Sequence, residues 1–300
     1  MRKILVCISA LLLLFSCKEH YTTYSDAEYV MFADSLSTNL VGEHNNGRFT
    51  VAVASTVARD YDRTFGVEVV DAGSNAIEGK HYRLLSNSVT IPAGELAADV
   101  VVEGIYENIE ATDSLGFNLR LVMNEKLKWE LYKNSDCTKV VFYKSCPFDR
   151  NTFTGYAVLS SLFLRDYPGE NSTYQKVVYT EPHKTESNMI VIRDAFFNGY
   201  DITLTLHGED PSNPIITMDN DQVLSDEASV FGQILGDNHI LCDESSYSTS
   251  YFNSCQRFAV LWLHVYVKDL GTMIGTVGNY YNVLEWISDE EAERLKREGF

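Results

Sequence analysis

Leu115-Gly116-Phe117-Asn118-Leu119-Arg120-Leu121-Val122 sets leucine or phenylalanine at every second position. That period places Leu115, Phe117, Leu119 and Leu121 on one face of an extended strand, and Gly116, Asn118, Arg120 and Val122 on the other. A strand with one apolar face needs a second layer to cover it, and the chain around it supplies candidates. Toward the N-terminus lie a valine-rich run from Asp99 to Ile105 and Ser88-Val89-Thr90-Ile91, which stops at Pro92. Phe65, Val67 and Val69 alternate with Gly66 and Glu68, and Phe49, Val51 and Val53 with Thr50, Ala52 and Ala54. Tyr29-Val30-Met31-Phe32 opens the set and Thr138 to Tyr143 closes it. Asn45-Asn46-Gly47 and Asp71-Ala72-Gly73-Ser74-Asn75 supply turns, because Gly and Asn tolerate positive φ. Short strands at this spacing predict an immunoglobulin-like β-sandwich over residues 28–146.

Pro147 holds Cys146 extended, and the pattern restarts at Phe153-Thr154-Gly155-Tyr156. Strands are expected at Lys176–Tyr179, Met189–Ile192, Asp201–Leu206, Pro214–Met218 and Phe258–Val267. Residues 147–300 therefore read as a second antiparallel β-sandwich or open barrel. A short C-terminal helix ends it: Ser288 and Glu291 form a capping box, acidic Asp289–Glu291 suit the helix start, and Lys296 and Arg297 suit its end.

At the other terminus Arg2 and Lys3 precede an apolar run from Ile4 to Phe15. The run falls short of the ~20 residues that span a bilayer and fits the apolar region of an export signal over residues 1–16. Leu14-Phe15-Ser16-Cys17 resembles the bacterial lipobox. The resemblance implies cleavage before Cys17, a diacylglycerol on its sulfur and a further acyl chain on the new amino group. Several chains give stable anchoring where one does not. Residues 17–27 would form a tether to the membrane. Lys18 and Glu19 resemble surface-export signals of Bacteroidota lipoproteins, which implies an outward-facing position on the outer membrane, with the periplasmic face as the alternative.

The formal net charge of −18, from 42 acidic against 24 basic residues, argues against nucleic acid, whose binding depends on Lys and Arg at phosphates. Four cysteines remain beyond Cys7 and Cys17: Cys137, Cys146, Cys242 and Cys255. Four allow three pairings. The nearest-neighbour choice, Cys137–Cys146 and Cys242–Cys255, is favoured because each pair brackets a short segment. None of the spacings has the CxxC form of a zinc knuckle.

Glu78-Gly79-Lys80-His81-Tyr82, then Val89-Thr90-Ile91-Pro92-Ala93-Gly94-Glu95, the valine-rich strand, and Leu115-Gly116-Phe117-Asn118-Leu119 together resemble a Calx-β-type repeat. The same order occurs in Bacteroidota lipoproteins with an N-terminal domain of unknown function and a C-terminal β domain. Calx-β domains that hold calcium gather carboxylates at one end of the sandwich. Here His81 stands where an Asp often precedes the Tyr, and Glu107, Glu110 and Asp113 are scattered, so no metal is expected.

Catalytic motifs do not emerge. The seven histidines show no HExxH, and neither a GxSxG elbow nor a glycine-rich phosphate loop is present. Asp219-Asn220-Asp221 starts like a calcium loop but lacks its glycine and distal glutamate. A non-enzymatic protein without a cofactor is expected. The chemical handle that remains is aromatic: 18 Tyr, 15 Phe and 3 Trp. Tyr and Trp present flat apolar faces with a polar tip, suited to sugar rings. Tyr280, Tyr281 and Trp286 are the candidate ligand residues; Trp129 and Trp262 read as packing. The plan of lipid, immunoglobulin-like spacer and β domain resembles the accessory lipoproteins of Bacteroidota polysaccharide-uptake systems. That resemblance implies a glycan ligand, with a surface protein partner as the alternative.

Overall fold

The computed structural model describes residues 24, 27–129, 135–169 and 174–300. Residues 1–16, read above as an export signal, and Cys17 lie outside the described residues. The N-terminal part is a two-sheet sandwich. One sheet has the order β1 (Val30–Phe32), β3 (Arg48–Ser55), β7 (Ala97–Gly104), β5 (Tyr82–Leu84); the other runs β2 (Leu36–Gly42), β9 (Cys137–Ser145), β8 (Leu115–Val122), β4 (Arg63–Val70), β6 (Ser88–Ile91). The opening octapeptide is β8, and Leu115, Phe117, Leu119 and Leu121 are all buried. Tyr82 stacks on Phe117 at 3.9 Å between ring centroids, with Phe142 edge-on to both. Strands β2 and β5 are additions to the expected seven. Strand β2 reads as polar because it is an edge strand, paired in parallel to β9 alone.

The chain enters the sandwich far from its exit. Strand β9 ends beside Cys146, and the parallel β2 runs alongside it with Leu36 opposite Lys139 and Gly42 opposite Ser145. Phe32 donates its N–H to Ser135 O at 3.1 Å, so the N-terminal segment sits at the end of the sandwich remote from Cys146.

The C-terminal part closes on itself. Strands β10 (Gly155–Ser161), β11 (Gln175–Pro182), β12 (Met189–Arg193), β13 (Ile202–His207), β14 (Ile215–Thr217), β17 (Ser250–Asn253), β18 (Phe258–Asp269) and β19 (Thr272–Trp286) pair in that order, and β19 returns to β10. Every pairing is antiparallel. The result is an eight-stranded closed barrel, where the sequence left a sandwich or an open barrel. Full closure removes the unpaired edges that an open sheet exposes. A hairpin of β15 (Gln222–Ser225) and β16 (Ile240–Glu244) lies on the far half of β18. The Gln222 amide links it back to β13, accepting from Thr203 N–H at 2.7 Å and donating to Thr203 O at 2.9 Å.

Two short helices, α1 (Leu162–Asp166) and α2 (Ala228–Phe231), precede the terminal α3 (Asp289–Glu298). Ser288 caps α3 by accepting from Glu291 N–H at 3.2 Å, as the capping pattern predicts, while the Glu291 carboxylate turns to Arg294. Ala292 is its buried apolar residue.

The disulfide pairing differs from the expected one. The bridge joins Cys146 to Cys255, and Cys137 and Cys242 are free thiols. Cys137 opens β9 and Cys146 follows its last residue, so nine steps of extended chain hold them ~30 Å apart. Cys242 faces the barrel core from β16, whereas Cys255 sits in the turn between β17 and β18 beside the linker.

Candidate functional site

Along the β18–β19 ladder the side chains alternate across the barrel wall. Ala259, Leu261, Leu263 and Val265 point inward with Tyr280, Leu284 and Trp286. Phe258, Trp262 and His264 take the outward phase with Tyr281 and Asn279. Tyr280 and Trp286 are thereby removed as ligand residues. Tyr280 packs edge-on to Phe163 at 5.1 Å, and burial pushes its phenol up to about 12. Trp286 packs edge-on to Phe153 and donates its indole N–H to Thr180 Oγ1 at 2.8 Å. Tyr281 alone of the three faces outward, 36% exposed. Neighbours in a strand lie on opposite faces, so Tyr280 and Tyr281 cannot share a platform.

Tyr281 has a different partner. It lies opposite Trp262 in the ladder, with ring centroids 5.1 Å apart and planes at 64°. Trp262 belongs to neither hydrophobic core and is half-buried on the outer wall. Trp262 therefore packs on the outer wall against Tyr281 and not inside either core. Its phase was marked in the sequence by His264, a polar residue two positions on that must share its face.

Polar groups hold this aromatic pair in place. Ser245 donates its N–H to Trp262 O at 3.1 Å and its hydroxyl to Asn279 Oδ1 at 2.8 Å. The same hydroxyl accepts from Tyr247 N–H at 3.2 Å, which ties down the segment carrying a tyrosine side chain 80% exposed. Trp262 N–H donates to Ser250 Oγ at 2.9 Å. One position further along the face, His264 bonds Asp243 through Nδ1 at 2.9 Å and Thr276 through Nε2 at 3.2 Å, and stacks on Tyr266. Burial, aided by the bond to Asp221, pushes the Tyr266 phenol up. The wall thus carries the edge-on Trp262–Tyr281 pair with the Tyr247 segment beside it, bordered by an amide, a hydroxyl and an imidazole. The Ser245 hydroxyl and both His264 nitrogens are taken by protein partners, which leaves the amide nitrogen of exposed Asn279 to bond a hydroxyl of a ring that packs its apolar face on the aromatic pair.

The other sequence candidates are engaged elsewhere. His81 Nδ1 accepts from Ile77 N–H at 3.0 Å, and burial holds its imidazole below the usual range, so it is neutral. Asp221 of the calcium-like triplet binds the Tyr266 hydroxyl at 2.6 Å and Lys268 at 2.7 Å. Among the described residues no three of His, Cys, Asp or Glu are grouped to hold a metal ion. Trp129 stacks on Tyr29 at 5.9 Å.

Comparison with known proteins places the second half of the chain. The family model "Domain of unknown function (DUF4984)" matches residues 131–298, more than half of the chain. The chain belongs to the DUF4984 family. Among solved structures, a protein of unknown function from Bacteroides ovatus aligns over 90% of this chain and 92% of its own, at 11% identity and a TM-score of 0.34. The Calx CBD1 domain aligns over 40% of this chain and 98% of its own, at 18% identity and a TM-score of 0.32. A protein of Bacteroides ovatus ATCC 8483, provisionally named carbohydrate binding, aligns over 86% of this chain and 64% of its own, at 11% identity and a TM-score of 0.31. No curated protein matches the chain. The DUF4984 match covers the barrel and with it the whole aromatic face.

Proposed function

We propose that this DUF4984 protein is a lipid-anchored, non-catalytic glycan-binding protein of the bacterial outer membrane, serving a polysaccharide-uptake system of the Bacteroidota kind. The observation that carries the reading is the Trp262–Tyr281 pair, displayed on the outer barrel wall and bordered by Asn279, Ser245 and His264. Rings filling a core have no need of an exposed wall. The lipobox-like Cys17 supplies the anchor, and the entry of the chain at the sandwich end remote from Cys146 turns the barrel away from the membrane. The barrel wall would then meet large ligands arriving from outside.

Affinity electrophoresis of the protein without its export signal, through gels containing plant and host polysaccharides, tests this. Retardation by at least one polysaccharide is expected, and it should be lost in Trp262→Ala/Tyr281→Ala. Retardation that survives the double change would move the site elsewhere.

A second reading has its own observation. Leu235, Leu270, Met273 and Ile274 are exposed around the β18–β19 hairpin tip, Leu270 at 91%. Asp237 fixes the tip, donating its N–H to Lys268 O and accepting from Leu270 N–H. An ordered apolar tip suits a protein partner. Crosslinking on intact cells that depends on Leu270, with no polysaccharide retarded, would favour it.

A further inference from the structure

We infer that the ligand is an extended, uncharged polysaccharide chain that runs from the Trp262–Tyr281 pair into the cleft between sandwich and barrel; this rests on the glycan reading above. Tyr251 on β17 lies opposite Val260 on β18, so its ring shares the outward face with Trp262. Two residues along the strand and one strand across separate them by ~8 Å. The Tyr251 ring contacts Phe258 at 6.2 Å between centroids. The aromatic face therefore continues from β19 across β18 to β17, obliquely to the strands.

At its lower end the stripe meets the cleft. Tyr251 and Tyr143 line one cavity of about 180 Å³, Tyr251 from the barrel and Tyr143 from β9 of the sandwich. Both rings are substantially open, 43% and 39% exposed. Pro211 and Pro214 stiffen one wall, and the Cys146–Cys255 bridge fixes the two bodies at its edge. A short sugar could occupy the Trp262–Tyr281 pair alone. Only a longer chain would reach both that pair and Tyr143.

Charge narrows the class. The cation lining the cleft, Lys144, stands over the Tyr106 ring at 4.2 Å. The stripe itself carries Glu285, opposite Phe258, and the Asp243–His264 pair, with no Lys or Arg in the outward phase between Phe258 and His264. On a protein of net charge −18, a uronate or sulfated polymer would meet like charge with Lys144 as the one cation in the cleft lining to set against it. A neutral chain meets no such penalty.

The test uses the protein without its export signal, with xyloglucan, galactomannan and mixed-linkage β-glucan as neutral probes and polygalacturonate and chondroitin sulfate as anionic ones. A neutral polymer should retard the protein and the anionic ones should not. By titration calorimetry, affinity for oligosaccharides of the retarding polymer should rise from disaccharide to hexasaccharide. Tyr143→Ala and Tyr251→Ala should each weaken the hexasaccharide about three- to tenfold, the loss of one stacking contact, and only Tyr143→Ala, at the far end of the cleft, should leave the disaccharide unchanged. Circular dichroism and an unshifted thermal melt check that both variants fold. Preference for an anionic polymer, or equal affinity at all lengths with no effect of Tyr143→Ala and Tyr251→Ala, would overturn the inference while leaving glycan binding intact. Failure of every polymer would instead remove the glycan reading itself.

Discussion

Glu28 ties the start of the sandwich to its body through two arginines. Its carboxylate bonds Arg63 and Arg59, each at 2.8 Å, and the Arg63 guanidinium is buried with Ser55 Oγ, Val57 O and Glu95 O as further acceptors. Burial pushes the Glu28 carboxyl up, but its bonds to the two guanidinium groups outweigh this and hold it below the ordinary value of 4.5. A carboxyl with a depressed folded pKa contributes its stability in full above the unfolded value, and loses it as pH falls through the folded one. Thermal melts should therefore show the sandwich weakening below about pH 4.5, with a shallower pH dependence in Glu28→Gln. At neutral pH that change leaves a buried guanidinium without counter-charge and should cost on the order of 3 kcal/mol. A melt unchanged by Glu28→Gln would show that the backbone acceptors suffice for Arg63. The free thiols make a second case at this scale. Burial raises both, partly for Cys137 and fully for Cys242 inside the barrel. Iodoacetamide at neutral pH should modify Cys137 slowly and Cys242 only on unfolding. Peptide mass spectrometry reads both, and early labelling of Cys242 would contradict its place in the core.

Between β13 and β18 the barrel wall is built twice, by β14 and β17 near the linker and by the β15–β16 hairpin beyond it. The second route is closed by a side chain, since Gln222 stands in for a strand against Thr203. Gln222→Ala leaves the N–H and C=O of Thr203 without these partners and should cost about 1–3 kcal/mol. Hydrogen exchange at the Thr203 amide should accelerate more than at Leu204 or Leu206 if the seam opens locally; no local change would mean that water replaces the amide. The same elements show what sequence can carry. Strands with clean alternation, β3, β4, β8 and β13, were legible because one face is buried and the other solvated. The longest strand, β19, was not. Thr272, Gly275, Thr276, Gly278 and Asn279 dilute its apolar signal, and two register shifts against β18 break its phase. With the strand unseen, Tyr280, Tyr281 and Trp286 read as loop aromatics, and Trp262 lost the cross-strand partner that gives it meaning. Closure of the barrel was equally hidden, since pairing of β19 with β10 joins segments more than a hundred residues apart.

At the scale of the whole chain, two separate hydrophobic cores are held at one junction. One core runs from Val30 to Phe142 and the other from Phe153 to Trp286. Across the junction Gln256 Nε2 donates to Ala111 O at 2.9 Å, and the Cys146–Cys255 bridge ties the linker to the β17–β18 turn. The bridge closes a loop of 109 residues that contains β10 to β17 but no strand of the sandwich. Its constraint on the unfolded chain therefore bears on the barrel. Loop-closure entropy for a loop of this size corresponds to roughly 2–5 kcal/mol. In Cys146→Ser/Cys255→Ser, calorimetry should show the barrel transition moving to lower temperature while the sandwich transition stays in place. If both move together, the junction couples the two cores into one cooperative unit, and the cleft lined by Tyr143 and Tyr251 is held by packing as much as by the bridge. If neither moves, the bridge adds nothing to the barrel. The ligand supplies the decisive comparison: a chain that spans the junction stabilises the bridged form and should lose more affinity on removal of the bridge than a disaccharide bound at Trp262 and Tyr281 alone.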